Sequence, residues 1–132
     1  MKPTILLVDD SRLVRTANHR ALIRAGYEVI DAEDGRRGLE LAQERMPDLI
    51  LLDMMLPKLS GPEVLRALKN DPRTNLIPVI VLTSLSQKNK EKLEHDGAAD
   101  FVEKSDDLLR NDSAILITAI HKALLAAAKQ PN

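Results

Sequence analysis

Five apolar, β-branched stretches punctuate the chain: "TILLVD" (4–9), "YEVIDA" (27–32), "DLILLD" (48–53), "IPVIVLT" (77–83) and "ADFVEK" (99–104). The first, third and fourth are nearly continuous apolar runs, the pattern of strands buried on both faces. The second and fifth alternate more and are expected at the edges of a sheet. Between the stretches, apolar residues recur at helical spacing. Leu13, Val14, Ala17, Ala21 and Leu22 define a first helix, with Arg12, Arg15, Arg20 and Arg24 pointing mostly outward and Gly26 closing it. Gly38, Leu39, Ala42 and Met46 mark one face of a second helix, ended by Pro47. A third, from about 61 to 69, carries Val64, Leu65 and Leu68 and stops at "NDP". Strand alternating with helix predicts a doubly wound α/β domain, a five-stranded parallel sheet with helices on both faces. Parallel strands need crossover connections, and these are right-handed.

The last predicted helix, about 112 to 128, has more apolar surface than one sheet face requires. Placing Leu116, Ile120, Ala123, Leu124 and Ala127 toward the sheet leaves Ile115, Ile117 and Leu125 at the edge of the apolar arc or outside it, which suggests a partner. By contrast "SQKNKEKLEHD" (86–96) offers the sheet little beyond Leu93, with Leu85 just before it. A helix so weakly anchored is expected to be among the first elements to move.

Composition narrows the functional classes. With 132 residues, 44% hydrophobic and 30% charged, the whole chain, 1–132, fits a single globular domain. No apolar run approaches the roughly 20 residues of a membrane span. The lack of cysteine removes disulfides and thiolate metal sites, and makes a cytoplasmic location the default expectation. A net charge of -1, with one Tyr, one Phe and no Trp, leaves neither an electrostatic footprint nor stacking surfaces for nucleic acid.

Three strand ends then stand out. Asp9 and Asp10 follow the first run, Asp53 the third, and Thr83 with Ser84 the fourth, while Lys104 ends the fifth. In an open parallel sheet these ends share one rim, where ligands bind. Taken singly, Asp10 and Ser11 read as helix caps, Thr83 as a strand end and Lys104 as a solvated charge. Asp53 resists such a reading, because a carboxylate inside an apolar run is desolvated unless a cation or donors offset the cost. Clustered carboxylates repel, so positive charge is expected among them. With oxygen ligands and no Cys or clustered His, Mg²⁺ or Mn²⁺ suits the site better than Zn²⁺. His19, His95 and His121 read as surface residues of helical patterns. A carboxylate beside such an ion, with a lysine and a hydroxyl in reach, is equipped to accept a phosphoryl group.

"ILLVDD", "DMMLPKLSG", "PVIVLTS" and "GAADFVEK" together resemble the receiver domain of two-component response regulators, over nearly the whole chain. The resemblance implies a flavodoxin-like sheet in strand order 2-1-3-4-5 and a phosphorylation-activated switch rather than an enzyme acting on other molecules. By position it makes Asp53 the phosphoacceptor, served by the phosphohistidine of a sensor kinase or phosphotransfer protein. It assigns the ion to Asp10, Asp53 and the main-chain carbonyl of Met55, with Asp9 holding it through water. Thr83 and Lys104 grip the phosphoryl oxygens. Phe101 is the switch aromatic, remodelling a surface of fourth helix, fifth strand and fifth helix that engages a downstream target or a second copy of the chain. Two positions depart from the usual pattern. Ser105 replaces the proline that commonly follows the lysine, so a trans bond is expected there, and Phe101 replaces a frequent Tyr, which favours its inward state. Met55 and Leu85 flank the path of the attacking water in this family. Both are apolar here, which predicts slow self-dephosphorylation.

The competing readings fit less well. An aspartyl-nucleophile phosphatase generally carries a second acid two residues after the nucleophile, where this chain has Met55. A flavin module needs a hydroxyl-rich phosphate loop, where this chain has "DDSRLV". A receiver-like interaction module that never gains phosphate would not need the full acid, threonine and lysine set. With the last helix ending at "KQPN", the expectation is a stand-alone switch acting by protein contact.

Overall fold

The computed structural model describes residues 2–54, 56, 58–83, 90–103 and 114–128. The strands are β1 (Thr4–Val8), β2 (Glu28–Ala32), β3 (Leu49–Asp53), β4 (Val79–Thr83) and β5 (Asp100–Glu103). All four neighbouring pairs are parallel, in the order β2-β1-β3-β4-β5. The two alternating stretches supply the edge strands, β2 and β5, as expected. The continuous runs form the three central strands, and every residue of β3 is buried.

Side-chain alternation along the strands divides the core in two. Ile5, Leu7, Leu49, Leu51, Ile80 and Leu82 pack on one face with Leu22 of α1 (Arg12–Arg24) and with Leu116 and Ile120 of α5 (Ala114–Ala128). Leu6, Val8, Ile50, Leu52, Val79 and Val81 pack on the other with Leu41 and Ala42 of α2 (Gly35–Arg45) and with Val64, Leu65 and Leu68 of α3 (Gly61–Asn70). The remaining described helix, α4, runs Lys90–His95. The 86–89 part of its expected span, and 112–113 of the last helix, lie outside the described residues.

Local chemistry sets the helix ends. Ser11 caps α1, its Oγ accepting from the Val14 N–H at 3.3 Å. Asp34 caps α2 through the Arg37 N–H at 2.8 Å. Ser60 caps α3, its Oγ accepting from the Glu63 N–H at 3.4 Å and donating to Glu63 Oε1 at 2.9 Å. Gly26, at φ +99°, closes α1 as expected. Met46 rather than Pro47 ends α2, capping it in the left-handed conformation.

One phase of α1 differs from expectation. Leu13 is 69% exposed, and the position that turns inward is Asn18, fully buried one turn before Leu22. Val14, Asn18 and Leu22 stand at i, i+4, i+8 and so share one face. On α5, Leu116 and Ile120 are buried while Ile115 and Leu125 are exposed, as the apolar arc predicts.

Candidate functional site

Strand register builds the site. The ladder of β1 on β3 pairs Ile5 with Leu49 through Val8 with Leu52, so the next residues along, Asp9 and Asp53, emerge side by side. Adjacent strands lie about 4.8 Å apart. The carboxylates of Asp9, Asp10 and Asp53 each present an oxygen within 4.8 Å of the others. Asp9 and Asp53 are buried, at 0% and 2% exposure, whereas Asp10 faces solvent.

The backbone fixes Asp9 on several sides. Its N–H donates to the Ala32 carbonyl of β2 at 3.1 Å, and its Oδ1 accepts from the Ser11 N–H at 2.9 Å. Its carbonyl accepts from Arg15 Nη1 at 2.7 Å. Arg15, expected to point outward, thus reaches back past the start of α1 to hold the main chain of the acid six residues before it. Its charge concealed that role in the sequence.

Two unit charges at 4.8 Å repel by about 3.5 kcal/mol at an effective dielectric of 20. The Asp9–Asp53 pair feels this most, since water screens the pairs made by Asp10. All three donors are hard carboxylate oxygens, with no sulfur or imidazole in the cluster. That set fits Mg²⁺ or Mn²⁺ and is a poor match for Zn²⁺.

Thr83 ends β4, level with Glu103 of β5, and its neighbour Leu82 lies opposite Asp53. The Thr83 backbone therefore reaches the acidic rim. Phe101 lies level with Val81 and is half-buried, packed against the core on the α2 and α3 face. Met55, Leu85, Lys104 and the Lys104–Ser105 bond fall outside the described residues, as does the Thr83 side chain. The expectations placed on them therefore rest on the sequence.

The loop after Asp53 has one support with no signal in the sequence, the pairing of Lys58 with Asp34, and one that its turn signal does mark, Gly61. Lys58 takes a positive φ of 69° and places Nζ 3.4 Å from Asp34 Oδ2. The Arg37 N–H first, and Lys58 after it, hold the Asp34 carboxyl below the usual carboxylate range against the opposing effect of burial. At Gly61, a Cβ would stand 2.5 Å from Met54 Cα and 2.6 Å from the Asp53 carbonyl oxygen, so the helix start sits directly on the strand end. "PKLSG" is a turn signal, and this close approach is the reason for its glycine.

Residues 5–115 match the family model described as the response regulator receiver domain. The polar-differentiation response regulator DivK of Brucella anthropi is 35% identical over 105 residues, covering 79% of this chain and 85% of its own. The DNA-binding dual master transcriptional regulator RpaA of Synechocystis is 39% identical over 134 residues, covering 93% of this chain and 56% of that protein. The chain thus spans only about half the length of some curated relatives it matches. Among solved structures, the chemotaxis response regulator CheY4 of Vibrio cholerae superposes with a TM-score of 0.84 at 28% identity, over 93% of this chain and 99% of that one. A family match across most of the sequence, on a sheet of the expected order with acids gathered at its rim, places this chain among the response regulator receiver domains, the phosphorylation-activated family of two-component signalling.

Proposed function

We propose that Asp53 is the phosphoacceptor of this domain and that it takes its phosphoryl group from a phosphohistidine on a sensor kinase or phosphotransfer protein. A carboxylate oxygen of Asp53 forms a bond to phosphorus as the phosphorus–nitrogen bond to the imidazole breaks. The imidazole leaves with the electron pair and an acyl phosphate remains on Asp53. The carboxylates of Asp10 and Asp53, with the Met55 carbonyl, would hold Mg²⁺ or Mn²⁺, and Asp9 would hold it through water. When bound, that ion supplies positive charge against the phosphoryl oxygens.

The chain's own residues do the rest. Asp53 sits at the tip of a strand buried along its whole length, which fixes its direction. Asp9, anchored through Ala32, Ser11 and Arg15, cannot retreat from it. Thr83 and Lys104 take the phosphoryl oxygens in the roles the family pattern gives them. The domain serves as a switch, catalysing only its own gain and loss of phosphate. Its output runs through α4, β5 and α5 to a protein target or a second copy, a reading favoured by exposed Ile115 and Leu125 on α5.

The observation that carries this reading is the meeting of three carboxylates within 4.8 Å, two of them buried. Its test is peptide mapping after incubation with acetyl phosphate and Mg²⁺. The expected result is one phosphoryl group on the peptide containing Asp53 and none anywhere in Asp53→Ala. Label on another residue, or retained by the variant, overturns the assignment.

A further inference from the structure

At the end of the sheet opposite Asp53 lies a cavity of about 420 Å³, walled by the beginnings of β4 and β5, the close of α3 and the C-terminal half of α5. Pro78, Ala99, Ala123 and Ala127 give it an apolar lining, which the exposed Leu76 extends. Three charged residues also line it: Lys69, Lys122 and Asp100. Lys69 is the unusual member. Its stem lies against Gly97, where a Cβ would stand 2.8 Å from Lys69 Cγ, and its Nζ donates to the carbonyls of Asn75 at 3.1 Å and Ile77 at 2.8 Å. An ammonium has three N–H donors, so one is left over. Burial pushes the amine below the usual lysine range. Among the described residues no carboxylate forms an ion pair with Lys69 or Lys122, and Asp100 is turned to its own strand, its Oδ1 accepting from the Phe101 N–H at 2.8 Å. A desolvated cation held only by neutral carbonyls lacks a counter-charge.

We propose that this cavity binds a small monocarboxylate with an apolar body, its carboxylate meeting Lys69 and Lys122 and its hydrocarbon lying on the alanines. Charge balance selects the class. Two ammoniums against one carboxylate leave one positive charge in excess, which a monoanion cancels and a dianion overshoots. A cavity above about 300 Å³, apolar for the most part and carrying a few convergent polar groups, is the usual setting for such a ligand. The acidic cluster lies at the other end of the strands and takes no part in this site, so the phosphoacceptor reading and this one can each fail without the other.

Titration of the isotope-labelled full chain with sodium hexanoate at constant ionic strength, followed by proton–nitrogen correlation NMR, tests this. The amides of Gly97, Ala99, Ala123 and Ala127 are expected to shift along one saturating curve. Hexanol, which has the same body without the charge, should bind about tenfold more weakly. Lys69→Met keeps most of the stem and should lose about tenfold in affinity for hexanoate. Ala127→Leu keeps both lysines, fills the cavity and should abolish saturable binding. If Ala127→Leu fails to fold, Lys69→Met and Lys122→Gln decide the matter, the latter expected to lose about threefold because its charge is the more exposed. Shifts that spread over the surface or never saturate overturn the proposal. So does hexanol bound as tightly as hexanoate, or folded variants that bind hexanoate as well as wild type.

Discussion

Asn18 offers a sharp test of how the core is packed. It is fully buried on the inner face of α1, and neither its Oδ1 nor its Nδ2 finds a hydrogen-bond partner among the described residues. Burying an amide without partners costs about 1–3 kcal/mol in protein mutational data. Leucine has a similar branched outline, pairs with Leu22 one turn on, and favours a helix by a few tenths of a kcal/mol over asparagine. Some of the gain is offset by its extra volume in a packed interior. The net expectation for Asn18→Leu is a stabilisation of about 2 kcal/mol. At about 2.1 cal/mol/K per residue, this corresponds to a rise in Tm of about 7 °C for a chain of 132 residues. Thermal unfolding followed by far-UV circular dichroism reads it. A variant that melts lower than wild type refutes the reasoning, because it means the amide is satisfied and the position is selected for polarity.

Two further outcomes concern lifetime and acid stability. The apolar pair Met55 and Leu85 should make the acyl phosphate long-lived, and Met55→Asn, which can orient water, should speed its decay by about tenfold, as followed by intact mass over time. An unchanged decay rate counts against that role for Met55. The Asp34 carboxyl is depressed by the Arg37 N–H and by Lys58, so its stabilisation is in place above its unfolded-state value near 3.9 and is lost as pH falls through the lower folded value. Asp34→Asn should therefore lie below wild type in stability at neutral pH and converge with it in strong acid, as judged by urea midpoints across pH. Parallel curves contradict the linkage.

Much of the fold was legible because burial on two faces leaves continuous apolar runs. "ILLV", "LILL" and "VIVL" could scarcely be anything but central strands, and the polar residues that end them, Asp9, Asp53 and Thr83, were bound to share a rim. What the runs do not contain is register. Only the pairing of Val8 with Leu52 puts Asp9 beside Asp53, and no local pattern specifies it. The phase of α1 was misread for a related reason. Leu13 and Val14 are adjacent, so hydrophobicity alone could not choose between them, and the residue that settles the phase, Asn18, is polar. Arg15 was hidden by its charge, although its reach to the Asp9 carbonyl is a local contact across six residues. The contacts of Asp34 with Lys58 and of Gly35 with Leu59 join segments far apart in the chain, so only the folded structure brings them together. The family resemblance supplied roles for Met55, Leu85 and Lys104, which lie outside the described residues.

In the proposed function, mutually repelling carboxylates become a phosphoryl acceptor when a divalent cation joins them. Intact mass spectrometry after incubation with acetyl phosphate, across a titration of Mg²⁺ and with a chelator control, tests it most directly. The fraction carrying one phosphoryl group is expected to rise with Mg²⁺ to a plateau, to fall to background under chelation and to be absent in Asp53→Ala. Phosphorylation that proceeds equally well without the ion, or no gain of mass at any Mg²⁺ concentration, would contradict it.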